Sequence, residues 1–277
     1  MNPLILHFLG TGGGRFVMIT QRRRTAGICL VHGPTQVHID PGPGALVFSN
    51  WARLAPKSLD ALIVTHCHPD HSNDAEVFLE AMSHGTTRRR GVLAAARSVL
   101  HGNSDCGPSI SAYHQGLVET VEAVGPGGVF EVEGLRFTAV EARHSDPDSI
   151  GIRFEVPGIG SVGYTSDTGY FPELGDHYSG VRLLVLCTMW PRGRQLHLHL
   201  NTDEALGVVE RARPRCVVLT HFGMRMLNAD PEAEAAFLED ETGVPAVAAR
   251  DGMKLTIGET MTVQGPRKKD EARIIEA

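Results

Sequence analysis

The segment Thr65-His66-Cys67-His68-Pro69-Asp70-His71 constrains this chain more than any other. It follows directly on the apolar run Ala61-Leu62-Ile63-Val64. A buried strand that stops and hands over to a tight, ligand-rich loop can aim four donors at one point. Neutral imidazole and carboxylate are good ligands for Zn²⁺ and similar divalent ions. Burying four such groups with no metal among them would be costly. Four donors also exceed what a single open catalytic zinc takes from protein, which hints at two metals.

The chain of 277 residues is long enough for one large α/β domain or two small ones. It has no apolar run of about 18 residues, so no membrane span is expected. The start, Met1-Asn2-Pro3-Leu4-Ile5-Leu6-His7-Phe8, lacks a basic segment and runs straight into a strand pattern, unlike a signal peptide. The five cysteines (Cys29, Cys67, Cys106, Cys187, Cys216) show no paired spacing, which argues against a disulfide framework or zinc ribbon and for a reducing cytoplasm. Cys67 lies between two ligand candidates, and side-chain alternation is expected to point it away. A net charge of −6 offers no global attraction to nucleic acid. Two runs, Arg22-Arg23-Arg24 and Arg88-Arg89-Arg90, could hold phosphates, although a solvated basic turn is the commoner meaning of such runs.

Leu4–Leu9 reads as a strand entering the turn Gly10-Thr11-Gly12-Gly13-Gly14-Arg15. No amphipathic helix is expected after that turn, since a strand pattern at Ala26–Val31 comes next; this excludes a dinucleotide fingerprint. A strand ending at Asp40 follows, and then Leu59–Val64. A helix through about Ser83, capped by Ser72 or Asn73, carries Ala75, Phe78, Leu79 and Met82 on one face. Residues 91–95 read as a strand, 97–100 as a short helix and 101–116 as a mobile loop. Further strands are expected at 129–132, 135–141, 149–156, 161–165, 183–187, 216–220, 246–249 and 254–257, with helices at 203–212 and 231–242. This pattern favours a single domain over 1–264, with two sheets inside and helices outside. The charged stretch 265–277 is expected to fray.

Three more donors end apolar runs. His144 follows Phe137–Arg143, Asp167 follows Val162–Ser166, and His221 follows Val217–Thr220. Strand ends are the usual address of functional residues on open sheets. In this order and spacing, the chain resembles the metallo-β-lactamase superfamily of hydrolases from about Leu4 to Ile257. The resemblance implies an αββα sandwich with a dinuclear centre. His66, His68 and His144 would hold one metal. Asp70, His71 and His221 would hold the other, with Asp167 bridging and Asp40 orienting the loop by hydrogen bonds. Two divalent ions are expected, zinc first, with manganese or iron as alternatives.

The opening Phe8–Gly14 and the segment His199-Leu200-Asn201-Thr202-Asp203-Glu204-Ala205 are similar to tRNase Z-like phosphodiesterases. There an extra histidine assists the leaving oxygen. That resemblance implies catalytic roles for His199 first and His197 second, beside Asp70. The alternation His-Leu-His-Leu would let both face the cleft from one extended segment. Only 22 residues separate His144 from Asp167, too few for a tRNA-gripping arm, and only 53 separate Asp167 from His221, too few for the insertion of larger nucleases. The compact layout is more similar to small cyclic phosphodiesterases, without the extra cysteine zinc site of the phosphonate-pathway enzyme.

The expected activity is hydrolysis of a small or nucleotide-type phosphodiester by metal-activated hydroxide. The alternative on the same fold is a thioester, lactone or other carboxylic ester hydrolase. A non-catalytic nucleic-acid-binding protein is the third reading, but it predicts lost ligands. Expected partners are the small substrate and at most an armless nucleic-acid contact, with no membrane; a homodimer through an exposed sandwich edge is admitted.

Overall fold

In the computed structural model, which describes residues 2–194, 197–266 and 272–276, the strands sort into two mixed sheets. The first has nine strands in the order Arg273–Ile275, Met261–Gln264, Met253–Ile257, Leu4–Phe8, Ile28–His32, Thr35–Ile39, Ala61–Val64, Val92–Ala96, Thr120–Val124. Its last three pairings are parallel and the others antiparallel. The second runs Ala246–Ala248, Cys216–Thr220, Leu183–Trp190, Gly160–Tyr164, Ile150–Val156, Leu135–Glu141, Val129–Val132, and Leu200–Asn201 pairs with the end of Leu183–Trp190.

Side chains on a strand alternate between faces, so a strand buried on both sides must be apolar throughout. Leu183–Trp190 shows this directly. Leu183, Val185 and Cys187 join the core between the sheets, while Leu184 and Leu186 join a second core beneath the outer helices. Cys216–Thr220 divides the same way, with Val218 inward and Val217 and Leu219 outward. Helices Thr202–Ala212 and Pro231–Thr242 cover that outer face with Val208, Val209, Ala235 and Leu238. Helix Ala75–Met82 covers the first sheet with Ala75, Phe78, Leu79 and Met82, all fully buried as their spacing predicts. The result is a four-layer αββα sandwich.

Helix ends follow local chemistry. Asn201 caps Thr202–Ala212 in a capping box with Glu204. Gly243, at φ 68°, closes Pro231–Thr242. No helix is long and apolar enough to cross a membrane among the described residues.

Several elements differ from the sequence reading. A short helix, Arg15–Thr20, does follow the glycine turn. It carries no core-facing stripe, since only Val17 is buried while Phe16 and Ile19 are 73% and 70% exposed. Pro69–Ser72 forms its own helical turn, so neither Ser72 nor Asn73 caps the following helix; Asp74 stands at that position. Arg273–Ile275, expected to fray, pairs with Met261–Gln264; the rest of the charged tail lies partly outside the described residues. The basic runs are engaged in the fold. Arg23 donates to Thr11 and Ala249, Arg24 lies over Phe48, Arg90 pairs with Asp60, and Arg89 donates to the Val118 carbonyl.

Candidate metal centre

The parallel strands Thr35–Ile39 and Ala61–Val64 in one sheet, and Gly160–Tyr164 and Cys216–Thr220 in the other, end at the same edge of the sandwich. Asp40, Ser166 and His221, each just past a strand, take left-handed backbone conformations at φ 56°, 53° and 61°. Such strain costs about 1–3 kcal/mol per residue and persists where surrounding structure enforces it. Here it turns each chain sharply inward. The two edges are tied by Ile150 N–H to the Thr65 carbonyl and by Thr65 Oγ1 to Ser166 Oγ at 2.6 Å.

The seven donors singled out in the sequence converge at this edge. His66 Nε2 and His144 Nε2 each lie 3.1 Å from His68 Nδ1. His71 Nε2 lies 3.0 Å from His221 Nε2, which is 3.4 Å from Asp70 Oδ2. Asp167 sits between the groups: its Oδ2 is 3.7 Å from His71 Nε2 and 3.8 Å from His144 Nε2, and its Oδ1 is 3.2 Å from His221 Nε2. Four overlapping sets have donor atoms close enough to share an ion: His66/His68/His144, Asp70/His71/His221, His66/His71/Asp167 and His144/Asp167/His199. Tetrahedral ligands about 2 Å from one zinc lie roughly 3.3 Å apart, so the observed spacings suit a common ion.

The outer nitrogens of three histidines are already fixed. His71 Nδ1 bonds Asp40 Oδ2 at 2.9 Å, His144 Nδ1 bonds the Leu198 carbonyl at 3.0 Å, and His66 Nδ1 faces Thr65 Oγ1 at 3.2 Å. This sets which nitrogen points inward. Asp167 Oδ1 and His221 Nδ1 are buried without a hydrogen-bond partner. An orphaned carboxylate oxygen amid imidazoles fits a bound cation, because a buried charge must be paired.

Asp40 holds the site together from beneath. It accepts from Thr65 N and Thr65 Oγ1 at 2.8 Å each, from Tyr164 Oη at 2.9 Å, and pairs with His71. Burial opposes a charged His71, yet Asp40, Asp167 and Asp70 together raise its pKa well above the usual range. Burial likewise opposes ionised Asp167, but the neighbouring His221 and His71 hold it well below the usual carboxylate range.

The glycine turn seats two donors. Gly14 N–H donates to Asp70 Oδ2 at 2.8 Å. A Cβ on Gly13 would stand 2.2 Å from the His221 ring. Gly13→Ala is therefore expected to displace His221 and lower metal retention at least about tenfold, as loss of ligand orientation does; dialysis against a chelator series checks it.

His199 lies at the cleft, with Nδ1 3.6 Å from Asp167 Oδ2 and its ring 4.7 Å from that of His144. His197 does not join it. Leu198 adopts φ 68°, which breaks the assumed alternation, and His197 is exposed and belongs to none of the donor sets. Cys67 also stays out of them. Its thiol lies beside Cys106, and burial pushes its pKa up.

Asp146 escaped the sequence reading. It is 3% exposed and accepts from Cys67 N, Ser98 Oγ, Asn103 Nδ2 and Asp148 N. It thereby clamps the His66–His71 loop from behind. Residues 101–116 belong to the same support. Ser109 Oγ bonds the Cys67 carbonyl, and Gln115 bonds the Leu100 and Ile110 carbonyls. The segment contributes none of the residues lining the cleft and braces the Cys67 carbonyl from behind.

Two sheets that meet at a histidine-and-carboxylate edge form an αββα fold with a candidate metal centre. The Beta-lactamase superfamily domain matches residues 35–222, and the chain belongs to that superfamily, in its metallo-β-lactamase form. An uncharacterised protein of Methanocaldococcus jannaschii is 35% identical over 90% of this chain and 94% of its own length. A metal-dependent hydrolase of Methanopyrus kandleri is 30% identical over 73% and 86%. Among solved structures, the metallo-β-lactamase fold protein YhfI of Bacillus subtilis aligns over 92% of this chain and 99% of its own, with TM-score 0.74 and 17% identity. A diphosphatase of the PhnP family aligns over 91% and 97%, with TM-score 0.67 and 19% identity. The short form of human tRNase Z aligns over 92% and 99%, with TM-score 0.67 and 16% identity. These structural likenesses concern the fold.

Proposed function

We propose that the chain hydrolyses a small or nucleotide-type phosphodiester with two divalent ions, zinc before manganese or iron. His66, His68 and His144 would hold one ion, Asp70, His71 and His221 the other, and Asp167 would bridge. The observation that carries this reading is the placement of Asp167, whose Oδ2 lies 3.8 Å from His144 Nε2 and 3.7 Å from His71 Nε2 and whose Oδ1 lies 3.2 Å from His221 Nε2, so that it touches both donor groups. Bound ions would activate water and take up charge on the phosphoryl group. The folds of the PhnP-family diphosphatase and human tRNase Z support phosphoryl chemistry by analogy. The free state of all five cysteines suits a reducing cytoplasm.

His199 is the group we assign to the leaving oxygen. Burial pushes its pKa down to about 4, against the opposing Asp167 carboxylate. At neutral pH it is a neutral N–H donor, and an anionic phosphoryl group beside it draws the protonated form back up. His199→Ala is expected to lower kcat about a hundredfold with metal content retained, whereas His197→Ala costs less than about threefold. Equal losses in the two variants would remove the assignment.

The apolar lining of the cleft is the one feature that also suits a carboxylic ester. Metal-loaded protein assayed on bis-p-nitrophenyl phosphate beside thioesters and lactones separates the readings. Turnover of the diester is expected, and turnover confined to the carboxylic substrates would overturn the proposal.

A further inference from the structure

The donor cluster opens into a cleft of about 850 Å³, with His68, Asp70, His144, Asp167 and His199 at its floor. That volume falls in the range of roughly 300–1,000 Å³ that holds one small ligand, not a folded polymer. Its lining includes the helix Arg15–Thr20, whose Phe16 stands 73% exposed, and the end of Leu183–Trp190 with Trp190. Met18, Met189 and Met224 also line it. A large aromatic ring held exposed beside a reactive centre gains nothing from folding. Two cations accompany the rings. Arg225 lies 5.0 Å over the Trp190 ring, and Arg15 precedes Phe16 at the mouth.

Resting on the phosphodiester reading, we infer that this cleft selects a substrate whose second ester arm is a planar aromatic group of nucleobase size, bound between Trp190 and Phe16. The floor takes the phosphoryl group, and the rings lie along the same cleft, so both ends of one small diester are met at once. Flat rings and guanidinium groups reward a planar, polarised arm. The methionines adapt to its outline, as thioether side chains do at binding surfaces. A plain alkyl arm would gain burial but nothing from the two arginines. A long nucleic-acid strand would need a basic track, and Arg23, Arg89 and Arg90 of the two arginine runs make contacts within the fold.

Three diesters with the same p-nitrophenyl leaving group test this, with thymidine and methyl both attached through an alkyl oxygen so that their comparison isolates the ring. They are methyl p-nitrophenyl phosphate, phenyl p-nitrophenyl phosphate and the p-nitrophenyl ester of thymidine 5′-monophosphate. Metal-loaded wild-type protein should favour the two aromatic-armed diesters over the methyl diester by at least about tenfold in kcat/KM, chiefly through KM, the size of one ring stacking on an aromatic side chain. Trp190→Ala should bring that ratio close to 1. Phe16→Ala, at an exposed position where truncation leaves the core intact, should lower it about threefold or more. Equal kcat/KM for the three diesters, or a ratio unmoved in both variants, overturns the cleft assignment while the phosphodiester reading stands. Turnover of none of them overturns that reading and the assignment with it.

Discussion

Asp167→Ala is expected to abolish turnover and to cut metal retention together. The side chain is 2% exposed, one oxygen has no hydrogen-bond partner, and its carboxylate faces histidines of both donor groups. Removing it takes the shared ligand from both sites, so activity should fall about a thousandfold or more, the scale of losing metal-ion stabilisation of a developing charge. The fold should survive. The residue lies past the end of Gly160–Tyr164, outside the sheet ladder, and the cores on either side do not depend on it. Circular dichroism near wild type with metal content well below it is the expected pair of results. A variant that keeps full metal and a tenth or more of the activity would remove Asp167 from the bridge.

The second large effect is expected at Asp40, and there stability should fall as well. Asp40 accepts from Thr65 N, Thr65 Oγ1 and Tyr164 Oη and pairs with His71 Nδ1, all in a buried setting. Its φ of 56° is itself strained. Asp40→Ala strips Thr65 N and Tyr164 Oη of their acceptor and removes the nearest of the three carboxylates that raise the His71 pKa against burial. Breaking a buried ion pair from one side costs about 3–5 kcal/mol. Urea unfolding of the metal-free protein should show a loss of that size, and metal affinity should drop about 10–100-fold as the His71 ring loses its anchor. Asp40→Asn keeps an acceptor and should recover part of both. A loss below about 1 kcal/mol would mean that Asp40 does not organise the loop.

The donors were legible because each ends an apolar run, and the run itself announces a buried strand. His144, Asp167 and His221 needed only that context and their order. The structure brings all of them to one edge beside the His66–His71 loop. The less legible parts follow different physics. Arg15–Thr20 turns Phe16 and Ile19 to solvent, so it has no core-facing periodicity for a sequence to display. Thr120–Val124 is an edge strand with mostly exposed side chains, which hides its apolar pattern. Asp146 lies in Ser145-Asp146-Pro147-Asp148, a composition that spells a turn and conceals a buried acceptor with four donors. His197 and His199 separate because one left-handed residue, Leu198, interrupts an alternation that the letters alone imply.

The same geometry explains why the glycine turn matters without binding a nucleotide. Gly13 makes room for the His221 ring and Gly14 offers its N–H to Asp70, so the turn serves the donor cluster from the first sheet. Behind the loop, Asp146, between two strands of the second sheet, and residues 101–116, between two strands of the first, do the corresponding work.

Elemental analysis of the purified wild-type protein, after dialysis against metal-free buffer, tests the dinuclear centre most directly. About two divalent ions per chain, predominantly zinc, are expected, falling to one or fewer in Asp167→Ala. Fewer than one ion per chain in the wild type, in a preparation that still hydrolyses bis-p-nitrophenyl phosphate at full rate, would contradict it.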